Sequence, residues 1–118
     1  MTDDRTAPGT TPLSTQVFQI LLSLVDDDLH GYAIIQDVDA RTGGEVRLTA
    51  STLYAAIKRL LDAGWIDEVR RRPRAGDDSR RRYYHLTPVG RKAARAEALR
   101  LDRLAAMARA KALIPAQR

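Results

Sequence analysis

The chain has no cysteine, and its 118 residues include two histidines, one tryptophan and one phenylalanine. Without thiols, a disulfide framework, a thiolate zinc site and a cysteine nucleophile are all excluded. His30 and His85 have no neighbouring ligands or acid/base partners in sequence, so both read as structural. A glycine-rich phosphate cradle and a nucleophile elbow are missing too, and Ser51 and Ser79 have no base beside them, so no enzyme activity and no cofactor are expected. Three consecutive carboxylates, Asp26 to Asp28, cannot easily converge on one ion and read as a solvated turn, not a metal site. Long apolar runs are lacking as well. Val17 to Val25 is interrupted by Gln19 and Ser23 and is too short to cross a bilayer. Residues 1–12 are rich in Thr, Pro and Asp, which fits a disordered tail and neither a signal peptide nor an anchor. A cytoplasmic protein is expected.

What is present is asymmetric charge. The formal net charge is +5, but residues 1–57 carry 3 basic and 8 acidic side chains, whereas residues 58–118 carry 17 and 7. At this length one domain is expected, and positive charge confined to one part of it suits a polyanionic partner.

Helical periodicity begins after Ser14, a candidate N-cap. Val17, Ile20, Leu21 and Leu24 recur on one face, while Phe18, Leu22 and Val25 make a second side apolar, so this helix should be buried on two faces. A second helix spans roughly Gly31 to Arg41 and is closed by Gly43-Gly44. Ala33, Ile34 and Val38 face inward, with Tyr32 a further candidate. Residues 45–48 form a short extended connection.

The third helix, Thr49 to Ala63, is capped by Thr49 and stopped by Gly64. Leu53, Ile57, Leu60 and Leu61 form its core stripe. Its opposite side carries Ser51, Thr52, Ala55, Lys58, Arg59 and Asp62. The small hydroxylated first half would let the helix sink into a DNA major groove, with Lys58 and Arg59 reaching phosphates two turns in.

Two β-rich segments follow, Trp65 to Val69 and Arg82 to Leu86, the first anchored by Trp65. Residues 70–82, which join them, hold seven arginines (Arg70, Arg71, Arg72, Arg74, Arg80, Arg81 and Arg82) against two carboxylates. That connection is too long for a tight turn and should project as a basic loop suited to phosphates or a narrow minor groove. A polar-faced helix followed by a basic hairpin is a helix-turn-helix extended by a wing. A last helix opens at Thr87-Pro88, a cap followed by proline at the first helical position, and should run to about Leu113. Ala94, Ala98, Leu101, Ala105, Ala108 and Ala112 form its narrow stripe, flanked by Leu104, which suggests close packing on a second subunit.

Taken together, His30-Gly31-Tyr32, Leu53-Tyr54 with Leu60 and Gly64, and Arg82-Tyr83-Tyr84-His85-Leu86-Thr87-Pro88-Val89-Gly90 resemble the PadR family of bacterial winged-helix transcriptional regulators. The resemblance covers about residues 13–113 and points to the shorter subgroup with a single C-terminal helix. It implies a homodimer whose interface is built by the first helix (Val17, Ile20, Leu21, Leu24) and the last (Ala94, Ala98, Leu101, Leu104, Ala105, Ala108). It also implies that Tyr54 lies at the DNA backbone, that Ser51, Thr52 and Lys58 face the major groove, and that Arg80, Arg81 and Arg82 form the basic end of the wing. A small-molecule effector held near the dimer interface is implied as well. The chain departs from the family at Ala50-Ser51, where Pro-Gly is common, and Ser51 can contribute a hydrogen bond of its own.

The expected architecture is therefore mainly α with a small β-hairpin. Residues 1–12 are a tail, 13–86 a winged helix-turn-helix, 87–113 a dimerisation helix and 114–118 a second tail. The expected function is a homodimeric repressor that binds a palindromic operator in double-stranded DNA. The alternative is a winged-helix module docking on an acidic protein partner.

Overall fold

The computed structural model describes residues 12–70 and 81–116. In chain order they form α1 (Thr15–Ser23), β1 (Leu29–His30), α2 (Gly31–Arg41), α3 (Ala50–Asp62), β2 (Ile66–Val69), β3 (Tyr83–Leu86) and α4 (Pro88–Ala110). Of the expected tail, residues 1–12, all but Pro12 lie outside the described residues, as do wing residues 71–80.

Each helix starts where a side chain satisfies an amide that the helix itself cannot. Ser14 Oγ accepts from the Val17 amide, His30 Nδ1 from Ala33, Thr49 Oγ1 from Thr52 and Thr87 Oγ1 from Gly90, all at 3.0–3.1 Å. The expected starts of all four helices agree with these caps to within a residue. The end of α4 differs. It stops at Ala110, not Leu113, and Ala112 turns left-handed (φ 62°) while the Leu113 amide bonds back to the Ala108 carbonyl. Pro115 disfavours helical geometry at Ile114, so the chain does not resume the helix after this left-handed exit.

The sheet has three strands, not the two of a hairpin. Its order is β1-β3-β2, all antiparallel, with Leu29 opposite Tyr84 and Ile66 opposite Leu86. At two residues, β1 is too short to carry an alternating pattern, so no periodicity announces it. It nevertheless fixes the start of α2 to the root of the wing.

Ile20, Leu21, Ile34, Val38, Leu53 and Ile66 are fully buried and bring α1, α2, α3 and the sheet into one core. Arg41 staples α1 to α2. Its guanidinium donates to the Gln19 side chain and carbonyl, to Ser23 Oγ and to Asp37, at 2.7–3.0 Å. Burial raises the Asp37 pKa, but hydrogen bonds from Arg41 and Ser23 outweigh it, and the net shift is downward.

The turn into α4 is equally tied. Thr87 donates its hydroxyl to the Gly64 carbonyl (2.6 Å) and its amide to the Trp65 carbonyl (3.0 Å). A Cβ on Gly90 would strike that same Trp65 carbonyl oxygen, so the first turn of α4 lies directly on the chain entering β2.

Two placements correct the sequence reading. Tyr32 does not face inward. It is 56% exposed, because the first turn of α2 lies at the rim of the sheet. Ile20, Leu21, Leu24 and Ala94 are spent in the protomer's own core, at 0%, 0%, 2% and 6% exposure, and leave no surface for a second subunit. The apolar stripe of α1 that periodicity identified is the one its own domain covers.

Candidate nucleic-acid interface

Helix α3 buries Leu53, Ala56, Ile57 and Leu60 and turns Ser51, Tyr54, Ala55, Lys58 and Arg59 outward, with Thr52 half-buried at its first turn. The hydroxyls there are already ordered. Thr49 Oγ1 donates to Thr52 Oγ1 (2.9 Å) and lies 3.3 Å from Ser51 Oγ. With the Thr49 proton given to Thr52, the Ser51 contact is donated by Ser51. Thr52 then keeps a free O–H donor and Ser51 keeps free lone pairs. One hydroxyl offers a donor and its neighbour an acceptor, the chemistry needed to read base edges.

Tyr54 ties this face to the rest of the domain. Its hydroxyl fills the position that a Cβ on Gly31 would take, at the first residue of α2. Gly31 is glycine because the tyrosine lies against its backbone. On the other side Tyr54 lies near Tyr84, whose phenol is pushed to a higher pKa by burial, with Tyr54 and Glu68 adding to the shift and Arg82 opposing it. Tyr84 therefore stays protonated at neutral pH.

The described wing arginines differ from one another. Arg70, at the end of β2, is exposed. Arg82 is exposed and faces Glu68 across the β2–β3 pair at 3.8 Å, a contact worth little in water. Arg81 turns towards α2. Its guanidinium carbon lies 5.9 Å from the centroid of the Tyr32 ring, and Nη1 is 3.0 Å from His30 Nε2. Arg71, Arg72, Arg74 and Arg80 lie outside the described residues. Tyr54 from α3 and Arg81 from the wing root thus meet on the first turn of α2. The sequence reading passed over His30 and Tyr32 as functional residues; their signal was the His30-Gly31-Tyr32 triplet.

His85, the other histidine, lies on β3 and pairs with Asp28 at 2.7 Å, while Arg91 reaches the Val25 carbonyl. The acidic turn is thus held against the sheet and α4. No group of three or more metal-ligating side chains gathers there or elsewhere among the described residues.

Helix α4 has two halves. The first buries Gly90, Ala93, Ala94 and Glu97. Glu97 closes this half by accepting from the Leu13 amide (3.2 Å) and from Arg100 through both carboxylate oxygens (2.9 and 2.6 Å). Beyond it the helix leaves the domain, and residues 98–110 extend about 20 Å at 1.5 Å per residue. Ala98 is exposed, Leu101 and Leu104 are 39% and 47% exposed, and Ala105 and Ala108 are partly covered. Leu101, Leu104 and Ala108 continue the same helix face that Ala93, Ala94 and Glu97 bury. No helix among the described residues is long and apolar enough to cross a membrane.

Comparison with known proteins gives a consistent picture. The model of the transcriptional regulator PadR-like family matches residues 20–96. An uncharacterised curated protein from Lysinibacillus sphaericus is 31% identical over 77 residues, which are 61% of this chain and 64% of that protein, just under two thirds of its length. Among solved structures, a transcriptional regulator from Clostridium thermocellum is similar with a TM-score of 0.64 and 27% identity, over 81% of this chain and 94% of that one. Bacillus subtilis PadR, solved with operator DNA, is similar with a TM-score of 0.58 and 26% identity, over 70% of this chain and 45% of that one.

Proposed function

Because the chain belongs to the PadR-like family of transcriptional regulators, we propose that it binds a palindromic operator as a homodimer and represses transcription there, with a small-molecule effector releasing it. The observation that carries this reading is the meeting of Tyr54 and Arg81 on the first turn of α2. It joins the polar face of α3 and the wing root into one cationic, hydroxyl-rich surface. On that surface Ser51 and Thr52 choose the sequence, while Lys58, Arg59 and the wing arginines supply salt-sensitive affinity. The expected wing contacts of Arg71, Arg72, Arg74 and Arg80 belong to the same proposal.

The dimer reading is supported by the outer half of α4, where Leu101 and Leu104 are left exposed among the described residues. The proposed interface comprises Ala98, Leu101, Leu104, Ala105 and Ala108, with Val17, half-buried on α1, as the partner surface. Two recognition helices related by a twofold axis would enter major grooves about 34 Å apart. The effector rests on family membership.

Selection from a random duplex pool tests the reading. The expected result is an inverted repeat, with transcription from a promoter overlapping it falling when the protein is added. Recovery of no sequence preference, with binding instead to acidic proteins, would replace this reading with that of a protein-docking module.

A further inference from the structure

The three hydroxyls in the first turn of α3 share their protons in a fixed order. Thr49 Oγ1 accepts the Thr52 amide at 3.1 Å and donates to Thr52 Oγ1 at 2.9 Å. Its second lone pair takes the Ser51 hydroxyl at 3.3 Å. A hydroxyl has one proton and two lone pairs, so Thr49 is saturated and has nothing left for a ligand. Ser51 has spent its proton and can only accept. Thr52 has accepted once and still has an O–H to give. Both lie within hydrogen-bond reach of the same Thr49 oxygen, so one base edge can face the two together. Ser51 is exposed on the outward face of α3, with Thr52 half-buried beside it. The free amides of the helix end play no part; the feature is the proton order of two side chains.

In the major groove adenine presents an amine donor at N6 beside an acceptor at N7. Guanine presents two acceptors, cytosine one donor, and thymine one acceptor with a methyl group. We propose that Ser51 and Thr52 together read one adenine, Ser51 accepting from N6 and Thr52 donating to N7, with Thr49 the positioning residue that fixes this polarity. This rests on the DNA-binding reading above and names the base that the first turn of α3 selects. A guanine in the same place would set its O6 against the Ser51 lone pairs, with no proton to bridge the two oxygens. Without the Thr49 hydroxyl, Ser51 would turn and donate to that O6, and the two purines would be bound alike.

The test uses the duplex that wild type selects from a random pool, with base analogues at the position whose preference Ser51→Ala erases. That position should be an A·T pair. Replacing its adenine with purine, which lacks the N6 amine, or with 7-deazaadenine, which lacks the N7 acceptor, should each weaken wild-type binding about three- to tenfold. Ser51→Ala should be indifferent to the missing amine but not to the missing N7, and Thr52→Val the reverse. A G·C pair there should bind wild type roughly tenfold or more weakly. Thr49→Gly, a residue tolerated at an N-cap, should bind the adenine and guanine sites alike, and Thr49→Ser should keep the wild-type difference. Both should retain wild-type affinity for random-sequence duplex, and thermal melting of each variant confirms that the fold is kept. A G·C pair at the Ser51-dependent position, no Ser51-dependent position, or a Thr49→Gly loss equal on both sites overturns the assignment, while wild-type selection of an operator keeps the broader reading intact. Absence of duplex binding by wild type overturns both.

Discussion

Individual residues in this chain are fixed by what they touch, and Gly90 shows it most directly. A methyl group there would meet backbone, the Trp65 carbonyl, and also the Leu86 side chain at 2.8 Å. Backbone cannot rotate away as a side-chain tip can. Gly90→Ala should therefore cost about 1–3 kcal/mol as overpacking, seen as a lower urea midpoint with little change in slope. Glu97 makes a prediction in pH. The Arg100 hydrogen bond lowers its pKa most, burial opposes that, and the Leu13 amide lowers it further, so the folded pKa lies below the ordinary glutamate value. A depressed carboxylate adds stability above its unfolded pKa and loses it as pH falls through the folded one. Glu97→Gln should lose about 1–3 kcal/mol at neutral pH by breaking the charge-assisted bonds. Its stability should then fall less steeply than wild type as the solution is acidified below the glutamate range. Parallel acid profiles for the two proteins would show that Glu97 contributes no such linkage.

At the level of elements, α1 and α2 are held by a polar staple as well as by their apolar faces. Arg41→Ala removes four hydrogen bonds linking Gln19, Ser23 and Asp37. Because the guanidinium is partly exposed, a loss of about 1–2 kcal/mol is expected from chemical denaturation. A loss near zero would mean that water replaces the staple.

Elements also show what a sequence displays openly. The bounds of α2 and α3 were legible because caps and glycines mark both ends, and β2 and β3 were legible from their aromatic and branched residues. Strand β1 was not, because two residues have no period. Tyr32 was misplaced because helical spacing alone cannot tell which side of a first turn a sheet will cover. For Ile20, Leu21 and Leu24 the apolar stripe was correct and its partner was not. An amphipathic pattern reports that a face is buried without saying against which chain. The Glu97–Leu13 bond joins residues 84 apart and had no local signal at all.

For the whole molecule, the arrangement separates two tasks. The α3 face and wing root form a polar cationic surface, and α4 carries its outer half away from the core. Covering Leu101 and Leu104 is the proposed reason for that projection. Leu101→Asp with Leu104→Asp should yield a folded monomer by sedimentation, since neither side chain belongs to the protomer core. A dimer that survives both charges would place the interface elsewhere.

The most direct test of the central claim is hydroxyl-radical footprinting on a duplex selected by the wild-type protein. If α3 reads DNA from each half of a twofold pair, two protected patches related by symmetry should lie about 10 base pairs apart, centre to centre. The doubly charged α4 variant should lose both together at the concentration that saturates wild type. A single unsymmetrical patch for wild type, or protection unaffected by the α4 charges, would contradict the account.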